Sequence, residues 1–236
     1  MLEAKPQYLC MLASHQGLVR QTNEDACAAT TSGDERQPAF WEGFVPSEGG
    51  WVLLADGMGG HTAGEVASQL AIACLSELTD LLTTEAGIRS AVAATHEAII
   101  NAMLEDDSLA GMGTTVAGVL LMGAEAIAFN VGDTRIYLLS DTLQQVSEDH
   151  VAGRHVLTRC LGGFNSTPST PWIGRIPMRP GDQLLLCSDG LTDMVSEAEI
   201  ECGLRSTKKP VEHLVEAALR EGGGDNVTVG VIHRIA

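Results

Sequence analysis

Aspartate recurs where apolar, β-type runs of this chain end or begin, each time beside glycine or another polar turn residue. The positions are Asp56 after residues 51–55, Asp133 after residues 127–132, Asp189 after residues 183–188, and Asp225 before residues 226–232. Carboxylates that are brought together from several strand ends repel one another, so something positive must hold them. Hard divalent cations with oxygen ligands are the usual solution. The pattern therefore predicts a β-rich fold that gathers its acids around metal ions.

The composition limits the class of protein. A chain of 236 residues with 44% hydrophobic residues can bury a core, and we expect one domain over residues 1–236. The formal net charge of -17 leaves no basic stripe with which to bind a nucleic acid. We expect instead a solvated acidic surface, whose charge is offset in part by bound cations.

The cysteines and the N-terminal residues indicate a compartment. The six cysteines form no C-x-x-C pair and several lie in apolar runs, which is typical of reduced, buried thiols. The chain does not begin with a basic segment followed by an apolar stretch, and no apolar run reaches membrane-spanning length. We therefore expect a cytoplasmic protein with no signal peptide and no membrane insertion.

Hydrophobic periodicity predicts the order of the secondary structure. Strands are predicted at residues 8–14 and 27–31, amphipathic helices at 66–82 and 88–103, and a β-meander at 114–122, 126–131, 135–139 and 143–146. Further predictions are a strand at 183–188, a capping-box helix after Ser196, a helix from Pro210 and a last strand at 226–233. Short strands at hairpin spacing favour an α+β fold with antiparallel sheets and helices on their outer faces.

Two further features have alternative interpretations. Residues 32–50 are predicted to be a loop because they are rich in glycine and proline, and they carry Phe40, Trp41 and Phe44. Those aromatic residues either pin the loop to the surface or form a docking loop for a partner. His96 lies near the apolar face of a predicted helix, where a packed or rim histidine is the better interpretation than a metal ligand.

Asp56 and Gly57 together can bind a cation, because glycine lets its backbone carbonyl approach the cation beside the Asp56 carboxylate. A carboxylate can also bridge two metal ions, and Asp189 and Asp225 could complete such a centre from neighbouring strands. Divalent ions lower the pKa of water towards neutrality and so supply a nucleophile. The Arg20 guanidinium could then donate two hydrogen bonds to phosphate oxygens. This assembly suits in-line hydrolysis of a phosphate monoester.

Each of these features alone is weak evidence. A lone Asp-Gly pair is usually a turn, and a lone arginine is usually a surface ion-pair residue. No Ser-His-Asp or Cys-His arrangement indicates a covalent nucleophile. The glycine clusters at 59–60 and 222–224 lack the Walker A lysine and the G-x-G-x-x-G spacing, so they do not indicate a nucleotide site.

Six motifs, taken in order along the chain, resemble those of a known family. They are Arg20-x-x-Asn23-Glu24-Asp25, Asp56-Gly57-Met58-Gly59-Gly60, Gly111-Met112-Gly113-Thr114-Thr115, Val131-Gly132-Asp133-Thr134-Arg135, Ser188-Asp189-Gly190-Leu191-Thr192-Asp193 and Gly224-Asp225-Asn226-Val227-Thr228. The set resembles the bacterial form of the metal-dependent protein phosphatases, the protein phosphatase 2C (PPM) family. The resemblance implies a central β-sandwich of two antiparallel sheets, flanked by helix pairs, with a dinuclear Mn/Mg centre at one end.

The resemblance also implies roles for individual residues. It implies a phosphate-binding arginine at Arg20, holders of metal-bound waters at Glu24 and Asp25, a bridging ligand at Asp56, a carbonyl ligand at Gly57, ligands of the metal pair at Asp189 and Asp225, and a third-metal position at Asp133 and Asp193 with Asp189. The implied cofactors are two Mn²⁺ or Mg²⁺ ions, with room for a third. The implied catalytic residues are then Arg20, Asp56, Asp189 and Asp225.

This sequence departs from the family pattern in two places. Many eukaryotic members have a histidine at the position of Met58, where it is proposed to protonate the leaving group; His61 is near, but a first-turn helix residue is the better interpretation of it. Bacterial relatives usually carry some 20 more residues between Ser147–His150 and His155–Gly162, where they form a flap beside the active site. The short connection predicts a more open cleft. It is similar to that of phosphatases encoded with type VI secretion systems.

The resemblance implies hydrolysis of phosphoserine and phosphothreonine in proteins. The implied partners are phosphorylated protein substrates and a cognate Ser/Thr kinase pathway, and we expect a monomer. Two alternatives remain open. One is a catalytically silent phosphoprotein-binding module on the same fold, and the other is a phosphatase that acts on an anti-sigma-factor antagonist.

Overall fold

The computed structural model describes residues 7–59, 63–153, 156–164 and 168–235, and within them two antiparallel sheets pack face to face. The first sheet contains, in spatial order, β3 (Trp41–Val45), β1 (Tyr8–His15), β13 (Val227–Arg234), β12 (Gln183–Cys187), β8 (Arg135–Leu139) and β9 (Leu143–Gln145). The second contains β10 (Leu161–Gly162), β5 (Gly113–Thr114), β4 (Glu48–Met58), β6 (Val116–Met122), β7 (Glu125–Val131) and β11 (Trp172–Pro177), with β2 (Asp25–Ala29) paired to β4.

Helices cover the outer face of each sheet. α1 (Ala63–Glu77) and α2 (Glu85–Glu105) pack on the second sheet, and short 3₁₀ turns follow them at Thr79–Thr83 and Asp107–Leu109. α3 (Asp189–Thr192), α4 (Glu197–Ser206) and α5 (Pro210–Arg220) pack on the first sheet. The predicted α+β sandwich, with the layer order helix, sheet, sheet, helix, is therefore confirmed.

Alternation along the strands explains the layers. In β4, Leu53 packs against the helices, whereas Val52 and Leu54 belong to the core between the sheets. Successive side chains of a strand point to opposite faces, so a strand that is covered on both faces is apolar throughout. Both sheets are covered in this way, and three apolar clusters result: one under each helix layer and one between the sheets.

Local signals placed several elements correctly. The Ser196 side chain accepts a hydrogen bond from the backbone of Glu199, whose carboxylate accepts one in return, so the predicted capping box begins α4. Pro210 is the first residue of α5. His96 is a packed histidine, as predicted; it is 1% exposed, and its Nδ1 accepts a hydrogen bond from the Gly162 amide at 3.1 Å.

The predicted loop at residues 32–50 is irregular only up to residue 40, and the prediction was wrong for the rest. Trp41–Val45 form β3, and β4 already begins at Glu48. β3 pairs with β1 at the edge of the first sheet, and Trp41 packs against the core between the sheets. This long-range pairing overrides the local signal of glycine and proline. Phe40 and Phe44 stay exposed, at 42% and 63% of their surface.

The predicted meander is divided between the two sheets. β6 and β7 form a hairpin in the second sheet, while β8 and β9 form one in the first. Residues 132–134 carry the chain across, and Gly132 takes a φ of 106°, which favours glycine. Periodicity cannot distinguish the two arrangements, because each hairpin has the same pattern. The crossing places Asp133 where the sheets meet.

The remaining differences concern the bounds of elements. β4 extends to Met58, so Asp56 lies inside this strand, because Gly57 and Met58 continue to pair with β5. β2 starts at Asp25, two residues before the predicted strand. α1 ends at Glu77, and the following 3₁₀ turn buries Leu82. β10, β11 and α3 were not predicted. Across the described ranges, no helix is both long enough and apolar enough to cross a bilayer.

Candidate active site

A cavity of about 500 Å³ lies where β12 ends and β13 begins, beside Asp56 of β4. Its lining is Arg20, Glu24, Asp56, Gly57, Met58, Gly59, Thr115, Asp133, Leu157, Asp189, Asp225 and Asn226. Seven of these are residues that the sequence singled out as site candidates. Asp56 comes from the second sheet and Asp189 and Asp225 come from the first, so the sandwich itself brings the acids together.

The backbone of Asp56 is fixed by two neighbouring threonines. Its amide donates to Thr115 Oγ1 at 3.1 Å, and its carbonyl accepts from the Thr115 amide at 2.8 Å and from Thr114 Oγ1 at 2.9 Å. Thr115 Oγ1 is also hydrogen-bonded to Thr134 Oγ1, beside Asp133. The threonines therefore join the Asp56 strand to the crossing between the sheets.

Gly57 occupies a place that no larger residue fits. A Cβ on this residue would lie 2.1 Å from the carbonyl oxygen of Gly64 and 2.5 Å from that of Glu24. The Gly57 amide donates to the Glu24 carbonyl at 3.1 Å. Glycine here lets three backbone segments meet at the cavity wall.

Arg20 reaches the cavity from the loop after β1. Its Nη2 lies 2.6 Å from Asp225 Oδ2, and the two side chains are 49% and 35% exposed. Asp225 directly precedes β13. The ion pair therefore joins the loop after β1 to the segment before β13 at the cavity.

Asn226 holds the Arg20 loop, a role that the sequence did not reveal. Its Nδ2 donates to the carbonyls of Gln16 at 2.8 Å and Thr22 at 2.9 Å, and its Oδ1 accepts from the Glu24 amide at 2.8 Å. Asn226 is 5% exposed. One buried amide thus fixes both ends of the segment that carries Arg20.

Asp25 lies behind the cavity wall, 1% exposed and opposite Asp56 in the pairing of β2 with β4. Its Oδ2 accepts a hydrogen bond from Ser188 Oγ at 2.8 Å, while its Oδ1 is buried with no hydrogen-bond partner among the described residues. Burial raises the pKa of Asp25 to about 7, against hydrogen bonds that lower it, and Asp189 and Asp225 raise it further. The buried oxygen without a partner leaves a strong acceptor unused.

Burial also raises the pKa of Asp56 well above its usual range, and the neighbouring carboxylates of Asp25, Asp189 and Asp133 add to the effect. The pKa of Glu24 is raised by burial, against the opposing effect of Arg20. Each shift says that the ionised acids lack enough compensating positive charge. Carboxylate oxygens of this kind are the ligands that hard divalent cations prefer.

The acids share the cavity wall without converging on one point. Across the described ranges, no three histidine, cysteine, aspartate or glutamate side chains are drawn together as a metal cluster. Like-charged carboxylates repel one another unless a cation lies between them. The all-oxygen donor set, the raised pKa values and the unused Asp25 oxygen all fit divalent ions.

Asp193 faces a second cavity of about 120 Å³, which shares Asp133 and Asp189 with the larger one. Arg135 and Asp149 also line it, and Arg135 Nη2 donates to Asp149 Oδ2 at 2.7 Å. The three residues predicted for a third metal therefore lie around one small cavity. A third ion there stays a prediction.

Similarity to known proteins places this chain in a family. A sequence profile described as protein phosphatase 2C matches residues 23–222. The chain belongs to the protein phosphatase 2C family. Among the curated relatives of this phosphatase is the serine/threonine phosphatase stp of Listeria innocua, which is 32% identical over an alignment of 249 positions that covers 93% of each chain.

Solved structures of the protein phosphatase 2C family share the fold. The serine/threonine phosphatase PstP/Ppp of Mycobacterium tuberculosis matches with a TM-score of 0.81 and 34% identity, covering 97% of this chain and 100% of that one. The PstP catalytic domain is also known in complex with two manganese ions, with a TM-score of 0.79, 36% identity and coverage of 98% and 100%. PppA, described as a key regulatory component of the type VI secretion system in Pseudomonas aeruginosa, matches with a TM-score of 0.79, 28% identity and coverage of 96% and 97%.

The phosphatase has a short hairpin (residues 150–153 and 156–158) at the position of the shortened flap. Val151 bridges to Leu157, and the His150 and Val156 carbonyls each accept an amide hydrogen bond at 2.8 Å across it. The His150 amide donates to the Gly132 carbonyl at 2.9 Å, which ties the hairpin to the crossing between the sheets. Leu157 lines the larger cavity.

Met58 lines the cavity, so this phosphatase has no histidine at that position. His61 and His155, which the sequence analysis considered, lie outside the described residues.

Proposed function

We propose that this chain hydrolyses phosphoserine and phosphothreonine in proteins, using divalent ions held in the larger cavity. One observation carries the proposal: acids from both sheets and the single arginine of the lining share one cavity among the described residues, in a chain of the protein phosphatase 2C family. Phosphoryl transfer needs positioning and charge stabilisation more than a covalent nucleophile. The cavity offers those two functions.

The metal-holding residues in this proposal are those that the family motifs imply. They are Asp56, Asp189, Asp225 and the Gly57 carbonyl for the metal pair, Glu24 and Asp25 for its waters, and Asp133 and Asp193 with Asp189 for a third ion. Bound divalent ions would supply a deprotonated water near neutral pH and positive charge for the phosphate oxygens. The PstP complex with two manganese ions supports Mn²⁺ as one such cofactor; Mg²⁺ is the other that we propose.

Arg20 in this proposal binds the phosphate. Its guanidinium stays charged at all working pH values and can donate two parallel hydrogen bonds to phosphate oxygens. Asp225 holds it at the cavity mouth, and Asn226 fixes the loop behind it. The arginine is therefore positioned before the substrate arrives, which reduces the ordering cost of binding.

The leaving serine or threonine oxygen needs a proton. The lining of the larger cavity contains no histidine among the described residues. We propose that a water molecule supplies this proton, because the short hairpin leaves less protein beside the cavity than a full flap would.

The cellular role we propose is the reversal of a bacterial Ser/Thr kinase, by a cytoplasmic, monomeric, one-domain phosphatase. The likeness to PppA supports a place in type VI secretion control. A silent phosphoprotein-binding module finds less support, because every acid of the family motifs is present in the sequence.

The direct test is turnover of matched phosphopeptides that contain phosphoserine, phosphothreonine or phosphotyrosine in the same sequence. With Mn²⁺ present, we expect the first two to release phosphate much faster than the third, and Asp34→Asn, an exposed acid remote from the motifs, to behave as wild type. Binding of the phosphopeptides without phosphate release would favour the silent module instead.

A further inference from the structure

Two large apolar side chains are exposed to solvent in the loop that carries Arg20. Leu18 and Val19 directly precede Arg20 in sequence and are 66% and 68% exposed. Their loop is well fixed: the Leu18 amide donates to the Gly223 carbonyl at 2.8 Å, and Gln16 Nε2 donates to the Arg20 carbonyl at 2.7 Å. A fixed loop that displays adjacent apolar residues forgoes hydrophobic stabilisation, and such exposed groups often mark a binding surface.

The short hairpin brings an apolar side chain to the cavity from a separate part of the chain. Leu157 lines the cavity, and Val156 beside it is 56% exposed. Most of the other lining residues are acids or glycines. We call Leu18, Val19, Val156 and Leu157 the apolar rim.

We infer that the apolar rim binds the side chains on either side of the phosphorylated residue, so that the enzyme selects protein segments with apolar residues next to phosphoserine or phosphothreonine. This inference rests on the proposed function. Its occupant is one extended segment of a phosphorylated protein. A phosphate held by Arg20 leaves the adjacent substrate residues about 3.3 Å per position away along the chain, and Leu18 and Val19 directly precede Arg20.

The negative charge around the cavity also favours substrates with apolar residues beside the phosphorylated residue. The cavity is walled by Glu24, Asp56, Asp133, Asp189 and Asp225, and the chain carries a formal net charge of -17. Acidic residues beside the phosphate would meet an acidic protein surface, whereas apolar residues would cover the apolar rim. Specificity here therefore has an attractive and a repulsive element.

The test compares kcat/KM for three phosphothreonine peptides that differ only in the two residues on each side of the phosphothreonine: leucine and valine, serine and glycine, or glutamate. Each value is divided by that for p-nitrophenyl phosphate, which has no flanking residues. For wild type with Mn²⁺ we expect the apolar peptide to exceed the neutral one by about 10-fold, the scale of one or two apolar contacts. We expect the acidic peptide to be the poorest.

The double variant Leu18→Ser, Val19→Ser should reduce the apolar preference to about twofold or less, and Val156→Ser should reduce it in part. Leu104→Ser is the matched control, because Leu104 is 78% exposed on α2 and lines neither cavity. Thermal unfolding of each variant confirms that it is folded.

The outcomes separate the two proposals. Hydrolysis of all three peptides without an apolar preference, or a preference that survives in the double variant, overturns the apolar rim and leaves the proposed function intact. Hydrolysis of p-nitrophenyl phosphate but of no peptide overturns the proposed function, and the apolar rim with it. A wild-type dimer that the double variant abolishes would make this surface a contact between copies and would also overturn the inference.

Discussion

Arg20 and Asp225 form an ion pair of 2.6 Å between residues that are 205 positions apart in sequence. Both side chains are more than a third exposed, so the pair contributes little to stability, about 0.2–1 kcal/mol. Its significance is one of position. It fixes a guanidinium at a cavity whose other charged lining residues are all acids.

Replacing Arg20 with alanine should mainly raise KM for phosphopeptides, by about 10-fold, because a contact to phosphate is present in the ground state and in the transition state alike. Steady-state kinetics with a phosphothreonine peptide measure the effect, and Arg89→Ala, an exposed arginine on α2, is the matched control. An unchanged KM for every phosphorylated substrate would show that Arg20 does not bind the phosphate.

Asn226→Ala should separate positioning from general stability. The change leaves the Gln16 and Thr22 carbonyls and the Glu24 amide without their partner, at a cost of about 1–3 kcal/mol to the free energy of unfolding. Because the Arg20 loop is then free to move, we expect KM to rise more than kcat falls.

The control for Asn226 is Gln183→Ala. Gln183 also donates to one backbone carbonyl, that of Leu204 at 3.3 Å, but it lines neither cavity. We expect this variant to lower the melting temperature and leave KM unchanged. A wild-type KM in Asn226→Ala, at a similar loss of stability, would reduce Asn226 to a structural residue.

The acids of the site could be predicted from the sequence because each Asp-bearing turn is a local motif. The six motifs together indicated the sandwich. It could not reveal the role of Asn226, whose three hydrogen bonds depend on how β13 meets the loop after β1. It also missed β3, since a strand at a sheet edge is specified by pairing with β1 rather than by its own residues. The change of sheet at residues 132–134 is likewise a long-range property, and it decides where Asp133 lies.

Stability of the metal-free protein should fall as the pH rises from about 4 to about 7. The pKa of Asp25 is about 7 in the folded chain, against 3.8 as the ordinary value, because burial disfavours the ionised form. Between these values the folded state holds a proton that the unfolded state has released. Stability therefore declines with pH, by at most about 1.4 kcal/mol per pH unit for one proton.

Chemical denaturation in EDTA at several pH values measures this slope. We expect Asp25→Asn to make it shallower, because the substitution removes one of the buried acids whose pKa is raised, while Asp56 stays as another. Asp34→Asn, which changes an exposed acid, should keep the wild-type slope. A slope that Asp25→Asn does not alter would assign the pH dependence to other groups.

The central claim is that the acids of both sheets act by holding divalent ions. The most direct test measures Mn²⁺ binding and phosphate release with protein from which the metal has been removed by chelation. We expect exhaustively chelated protein to bind Mn²⁺ in calorimetry, and to recover hydrolysis of a phosphothreonine peptide as Mn²⁺ is returned. Asp189→Asn should bind Mn²⁺ more weakly and lose at least about 100-fold in kcat. Full activity of the chelated protein, or unaltered Mn²⁺ binding in Asp189→Asn, would contradict the account.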